Sequence, residues 1–158
     1  TGRDRDVLLV AGLLHDIGSY VSYKKHHRHS FYLLSQSELP GFSPTDMLLA
    51  ANVARYHRKS PPKTTHEGFM RLAEPERERV RRLSALLRIA DALDRDHTQS
   101  VRRLKAVATR HALRLEVEGV DERSLDVWAL ERKAQLFSQL FGRKVRLVIP
   151  KTRSVRAS

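Results

Sequence analysis

The stretch that most constrains the fold is Leu13-Leu14-His15-Asp16-Ile17-Gly18. It closes an apolar run in which Val7, Leu8, Leu9, Val10, Ala11, Leu13 and Leu14 predict a largely buried helix. Asp4 or Asp6 can cap the start of that helix, and Gly18 can end it in a left-handed conformation. A carboxylate on such a helix is costly unless it is paired or holds a cation. A neutral imidazole beside it completes a ligand pair for a hard or borderline divalent ion. Taken alone, a His-Asp dipeptide is most often just a polar helix end, because short motifs match by chance. Its meaning depends on what the rest of the chain brings near it.

The 158 residues suit one domain, or one domain with a small appendage. Lys and Arg number 30 against 18 Asp and Glu, a formal charge of +12, which concentrates anions near the surface. Nucleic acid, polyphosphate, a phosphorylated nucleotide and an acidic membrane all answer to that charge. The absence of cysteine excludes disulfides and thiolate metal sites. The run Val7–Leu14 is too short to span a bilayer. With no signal peptide in view, the expectation is a cytoplasmic protein with no membrane partner. The sequence opens almost directly on the His-Asp helix and reads as part of a larger architecture, which leaves a ligand upstream of residue 1 open.

Beyond Gly18, a polar and basic loop holds Lys24, Lys25, His26, His27 and Arg28. A second helix is expected from about His29, with Phe31, Tyr32, Leu33 and Leu34. Leu39-Pro40-Gly41-Phe42 is a turn. Ser43-Pro44-Thr45-Asp46 is a helix start, with Ser as cap, Pro at the first position and Asp three residues after the cap. That helix runs to about Tyr56 or His57. A loop follows at Lys59–Phe69, and then a long helix from about Pro75 to Asp94. Val80, Leu83, Leu87 and Ala90 mark its inner face, and Arg77, Arg81, Arg82 and Arg88 fall opposite.

The last third changes character. Leu113, Leu115 and Val117 alternate with charged residues as in a half-buried strand, with Val101–Thr109 as its partner. Leu125, Trp128, Ala129, Leu136, Phe137 and Leu140 give an amphipathic helix ending at Gly142. Val145, Leu147 and Ile149 form a last strand. The fold class is therefore α+β and mostly helical: a helical domain over residues 1–98, a small strand-strand-helix-strand element with an antiparallel or mixed sheet over 99–150, and a basic tail at 151–158.

Three further residues give the His-Asp pair its context. His29 opens the second helix, His57 closes the third, and Asp91 borders the buried stripe of the long helix. Singly, each has a plain explanation: a helix-start residue, a partner for a helix C-terminus, an acid paired with Arg95. Together with His15 and Asp16 they are expected to form one nitrogen-oxygen metal site. Neutral imidazoles and carboxylates suit manganese, iron, magnesium or zinc alike. Lys24, Lys25, Arg28, Arg55, Arg58, Lys59 and Lys63 flank these residues in sequence and form a track for a polyanion. With aromatics at 6% and no recognition-helix pattern or zinc finger, no specific nucleic-acid partner is expected.

The runs Leu14-His15-Asp16-Ile17-Gly18, His29-Ser30, His57 and Ala90-Asp91-Ala92-Leu93 resemble the HD superfamily of metal-dependent phosphohydrolases. More narrowly, the chain resembles the C-terminal HD-type region of the exopolyphosphatase/guanosine pentaphosphate phosphohydrolase family. The residues that carry this are His27-Arg28-His29-Ser30, Leu39-Pro40-Gly41-Phe42, the run from Asn52 through Arg55-Tyr56-His57-Arg58-Lys59-Ser60-Pro61, and Leu86-Leu87-Arg88-Ile89-Ala90-Asp91-Ala92-Leu93-Asp94.

That resemblance implies a domain that binds polyphosphate or guanosine pentaphosphate and supports hydrolysis of terminal phosphoanhydride bonds. It also implies pairing as a homodimer, and an N-terminal actin-like domain, absent from this sequence, that carries the catalysis. The alternative is an autonomous metal-dependent HD phosphohydrolase acting on a nucleotide or another phosphate ester, with Asp16 in the catalytic role. HD enzymes hold one more His, on a helix before the His-Asp helix, and this sequence does not contain it. The isolated chain is therefore expected to be weakly active or inactive.

Overall fold

The structure is a computed structural model, and it describes residues 2–58, 60–119 and 127–149. Six α-helices are described: α1 Gly2–Leu14, α2 His26–Ser35, α3 Pro44–Arg55, α4 Glu67–Met70, α5 Glu74–Leu93 and α6 Val127–Phe141. The strands are β1 Arg103–Ala108, β2 Ala112–Glu118 and β3 Lys144–Val148. The α+β, mostly helical class expected from the sequence is the class observed. The chain divides into two compact units, Thr1–Asp91 and Ala92–Ser158. No helix among the described residues is long and apolar enough to cross a membrane.

The core of the first unit gathers Val7, Val10 and Ala11 of α1 with Leu34 of α2, Leu49, Ala50 and Val53 of α3, Phe69 of α4, and Val80, Leu83 and Leu87 of α5. The start of α3 is the one foreseen. The Ser43 hydroxyl accepts from the Asp46 amide at 3.2 Å, and the Asp46 carboxylate accepts from the Ser43 amide at 2.9 Å. Arg3 then donates to the same carboxylate at 2.6 Å and ties α1 to the cap.

Two expectations for α1 are corrected. The helix is not largely buried: Leu13 is 75% exposed and Leu9 58%. An unbroken apolar run carries no phase, so periodicity alone could not say which face turns inward. Nor does Gly18 form a left-handed helix end. It lies in a 3-10 turn, Ile17–Tyr20, and its φ is not positive. Its glycine identity has a steric cause: a Cβ there would lie 2.2 Å from the His26 carbonyl oxygen and 2.3 Å from the Ser30 amide nitrogen. Gly18 lets the turn press directly on the backbone of α2.

Arg88 is a third correction. It does not join Arg77, Arg81 and Arg82 on the solvent face of α5. It is buried and donates to the Tyr56 carbonyl at 3.4 Å, and its burial lowers the guanidinium pKa.

In the second unit the sheet order is β1-β2-β3, with β1 and β2 antiparallel and β2 and β3 parallel. Register sets Leu104 opposite Val117 and Ala106 opposite Leu115 on one side of β2. On the other it sets Leu113 beside Val145 and Leu115 beside Leu147. Leu115 and Val117 are buried while Arg114 and Glu118 are exposed, as strand alternation requires. α6 buries Ala129, Leu130, Ala134 and Phe137, and Gly142 ends it with φ 63°. Leu125 and the tail 151–158 lie outside the described residues.

Candidate functional site

A helix leaves the carbonyls of its last turn without intrahelical partners. In this chain two of the site's imidazoles take up such carbonyls. His15, just past the end of α1, donates from Nδ1 to the Gly12 carbonyl at 2.7 Å. His57, just past the end of α3, donates from Nδ1 to the Ala54 carbonyl at 2.6 Å. His26, the first residue of α2, makes the corresponding bond to the Tyr23 carbonyl at 3.2 Å. Each ring bonds the carbonyl three residues before it. A carbonyl only accepts, so each Nδ1 carries a proton, which leaves Nε2 of the neutral ring to present a lone pair.

These three Nε2 atoms converge on Asp16. His26 Nε2 lies 3.0 Å and His57 Nε2 3.5 Å from Asp16 Oδ1, and His15 Nε2 lies 3.4 Å from Oδ2. His26 and His57 approach each other at 3.4 Å between Nε2 atoms, and their rings stack at 5.4 Å. Asp91 closes the group, with Oδ1 3.7 Å from His15 Nε2. His15 Nε2 is buried and makes no hydrogen bond. Burial pushes the His57 imidazole down to about 3. The Ala54 carbonyl opposes that shift, His15 adds to it, Asp16 opposes it and His26 adds to it. His57 is thus neutral at ordinary pH. An unprotonated Nε2 facing a carboxylate oxygen at such a distance is repelled unless a positive charge lies between them. The donor set suits a divalent cation, with His15, Asp16 and His57 offering ligand atoms within 4.8 Å of one another.

Beside this cluster the chain builds the opposite electrostatics. A cavity of about 310 Å³ is lined by Lys25, His27, Arg28, Arg55, Tyr56, Arg58, Ser60 and His66. Its walls follow from the cluster's own sequence, since His27 succeeds His26 and Arg58 succeeds His57. Burial pushes His27 down to about 4, and the charges of His26, Arg58, Arg28 and Arg55 push the same way. Burial likewise lowers His66, with Arg55, Lys63 and Arg28 contributing. The Tyr56 hydroxyl hydrogen-bonds His66 Nδ1 at 2.9 Å. Burial raises the Tyr56 phenol to about 12, so it stays protonated. The imidazoles in the wall are neutral, and the net charge of the cavity comes from Lys25 and three guanidiniums.

Residues 1–135 match the family model described as Ppx/GppA phosphatase, domain III. The chain belongs to the Ppx/GppA phosphatase family. Among curated proteins it is similar to the guanosine-5'-triphosphate,3'-diphosphate pyrophosphatase of Pseudoalteromonas translucida (strain TAC 125), 40% identical over 52 residues. That stretch covers 33% of this chain and 10% of the relative, so the chain spans a small part of the protein it matches.

Of the expected ligands, this Ppx/GppA domain brings together His15, Asp16, His57 and Asp91. His29, expected in the group, makes no described contact with it; the α2 histidine that faces Asp16 is His26. α2 begins at His26, three residues earlier than expected, and the Cβ of His29 is packed against Gly18. A signal for His26 existed: it lies four residues before Ser30, so a small residue buried against the Ile17–Tyr20 turn puts His26 on the same helix face.

Of the expected basic track, Lys25, Arg28, Arg55 and Arg58 line the cavity. Lys24 and Lys63 do not, although the charge of Lys63 acts on His66. Lys59 lies outside the described residues. Tyr56, His27 and His66 also wall the cavity, and nothing in their sequence spacing separates them from ordinary core and loop residues.

Proposed function

We propose that this chain is the metal- and phosphate-binding domain of a Ppx/GppA phosphatase that cleaves terminal phosphoanhydride bonds of polyphosphate or guanosine pentaphosphate. His15, Asp16, His26 and His57 would hold a divalent ion, manganese, iron, magnesium or zinc, with Asp91 at its edge. The arginine-lined cavity would hold the phosphates. The observation that carries this reading is the convergence of three Nε2 atoms on one carboxylate, each ring bonded through Nδ1 to a backbone carbonyl. Such outer bonds orient imidazoles for metal binding. A bound divalent ion would supply Lewis acidity toward a phosphoryl oxygen. Arg28, Arg55 and Arg58 would grip phosphate oxygens with charge-assisted hydrogen bonds. The name of the relative, a pyrophosphatase of a guanosine polyphosphate, supports the substrate class. A cytoplasmic setting and a homodimeric assembly belong to the same reading.

The test is metal content by elemental analysis. Asp91→Ala should lower occupancy well below that of Asp94→Ala, and equal occupancy would count against the ligand set.

The intact cluster also favours a second reading, in which the domain is itself a phosphohydrolase with Asp16 at its centre. Phosphate release from polyphosphate by the purified chain with manganese separates the two. Little or no release is expected; robust release abolished by Asp16→Ala promotes the second reading.

A further inference from the structure

We propose that the Ser30 hydroxyl is a positioning group, setting the His15–Gly18 segment against α2 so that Asp16 faces His26. The proposal rests on the metal-binding reading above. α1 ends at Leu14, and a further helical residue would carry its side chain on around the helix axis. Instead Asp16 adopts φ −103° and ψ 4°, in the sparsely populated region between helix and strand. One atom brackets that departure. Ser30 Oγ donates to the His15 carbonyl at 2.6 Å and accepts from the Gly18 amide at 3.0 Å. The residues on either side of Asp16-Ile17 are thereby fixed to a single oxygen on α2.

Three further observations make this a built joint. Ser30 is fully buried, so neither of its bonds has water as a ready substitute. Gly18 is pressed so closely on the Ser30 amide and the His26 carbonyl that a Cβ does not fit. Ser30 lies one helical turn after His26, so the oxygen that holds His15 and Gly18 is on the helix face that presents His26 to Asp16. Without the hydroxyl, the buried Gly18 amide and the part-buried His15 carbonyl would both lose this partner, at the place where Asp16 must meet three imidazoles. Ser84 supplies the contrast. It is equally buried, but among the described residues its hydroxyl bonds only the Arg81 carbonyl of its own helix, at 3.1 Å.

The experiment is a manganese titration of the purified chain, followed by electron paramagnetic resonance, with thermal unfolding measured in chelator. Ser30→Ala should weaken manganese binding about 10–100-fold, the range seen when the partners that orient metal ligands are removed. Ser84→Ala should leave it within about twofold, although it too loses a buried hydroxyl bond. Ser30→Thr should bind at least several-fold more tightly than the near-isosteric Ser30→Val, and this pair decides the matter should Ser30→Ala not fold. Wild-type affinity in Ser30→Ala, or equal affinity in folded Ser30→Thr and Ser30→Val, would overturn the proposal. Wild-type affinity in Asp16→Ala would instead remove the metal reading, and the role of Ser30 with it; that failure is recognised by the variant in which it appears.

Discussion

The histidine-aspartate cluster and the arginine-lined cavity share a border and are built in opposite ways. In the cluster, each imidazole is held by a hydrogen bond to the backbone of its own segment, and His26 and His57 are almost wholly buried. In the cavity the working groups are the ends of long side chains; Arg28 is exposed, and Arg55 and Arg58 are half-buried. Arg55 is steadied by the rings of Phe31 and Tyr56, at 5.2 and 5.7 Å from their centroids. Backbone-fixed donors give a defined geometry for a compact ion. Long cations on a rim adapt to a chain of phosphates and give attraction at lower cost in order. On the proposed function, one region would select by position and the other by charge.

The sharpest way to break this contrast is to remove the carboxylate on which the imidazoles converge. Asp16→Ala should lower divalent-metal affinity on the order of 100-fold or more, at or beyond the top of the range for removing a partner that only orients a ligand. It should leave phosphate binding in the cavity intact or stronger, since a negative charge has gone from beside it. Parallel titrations with manganese and with inorganic polyphosphate check this; loss of both would mean the two regions act as one. Next in size is Gly18→Ala. The added Cβ meets backbone atoms at 2.2 and 2.3 Å, which cannot move aside as a side chain does. It should cost about 1–3 kcal/mol of stability by overpacking, read by denaturant unfolding, and should weaken manganese binding in the molecules that remain folded.

A smaller effect, confined to the other region, is expected from the arginines. Arg55→Gln with Arg58→Gln should weaken binding of long-chain polyphosphate about tenfold or more, as removal of hydrogen bonds between charged groups implies. The dependence on salt should flatten, by about 0.7 in log-log slope for each phosphate that is no longer neutralised. Arg153→Gln with Arg156→Gln removes the same charge from the tail and should do much less. Equal weakening by the two pairs would show that the cavity adds nothing to net charge.

The legibility of the sequence divides along the same line. The Ser43-Pro44-Thr45-Asp46 start, the alternation of β2 and the stop at Gly142 were all readable, because each is fixed by residues within a few positions. His15, Asp16, His57 and Asp91 could be grouped because they fall at helix ends and at the edge of an apolar stripe. His26 could not be told from His27 or His29 until the start of α2 was known; in a run of four residues holding three histidines, a shift of three changes which imidazole faces Asp16. Gly18 was visible as a breaker, but its close approach to α2 is a tertiary feature with no local trace. The two faces of α1 were hidden by the continuity of its apolar run.

The smallest expected effect sharpens the comparison by leaving both regions alone. The cap of α3 lies at the end opposite His57, and its removal tests whether stability by itself governs the cluster. Ser43→Ala should cost about 1 kcal/mol, the usual value of a helix cap, while manganese affinity stays at the wild-type value. Its partner Asp46 adds a signature in pH. The Arg3 guanidinium, and after it the Ser43 hydroxyl and amide, hold the Asp46 carboxyl well below the usual carboxylate range. A carboxyl depressed in the folded state stabilises fully above its unfolded pKa, about 3.9. That contribution is lost as pH falls from there toward the folded value. Asp46→Asn should therefore be less stable than wild type at neutral pH, and the gap should close as pH drops below about 4. Urea unfolding of both proteins across that interval measures it. A gap that stayed constant with pH would mean the Arg3–Asp46 pair contributes through the shape of the cap and not through charge. A fall in manganese affinity in either variant would mean that the cluster draws its geometry from the whole helix rather than from the carbonyls that hold its rings.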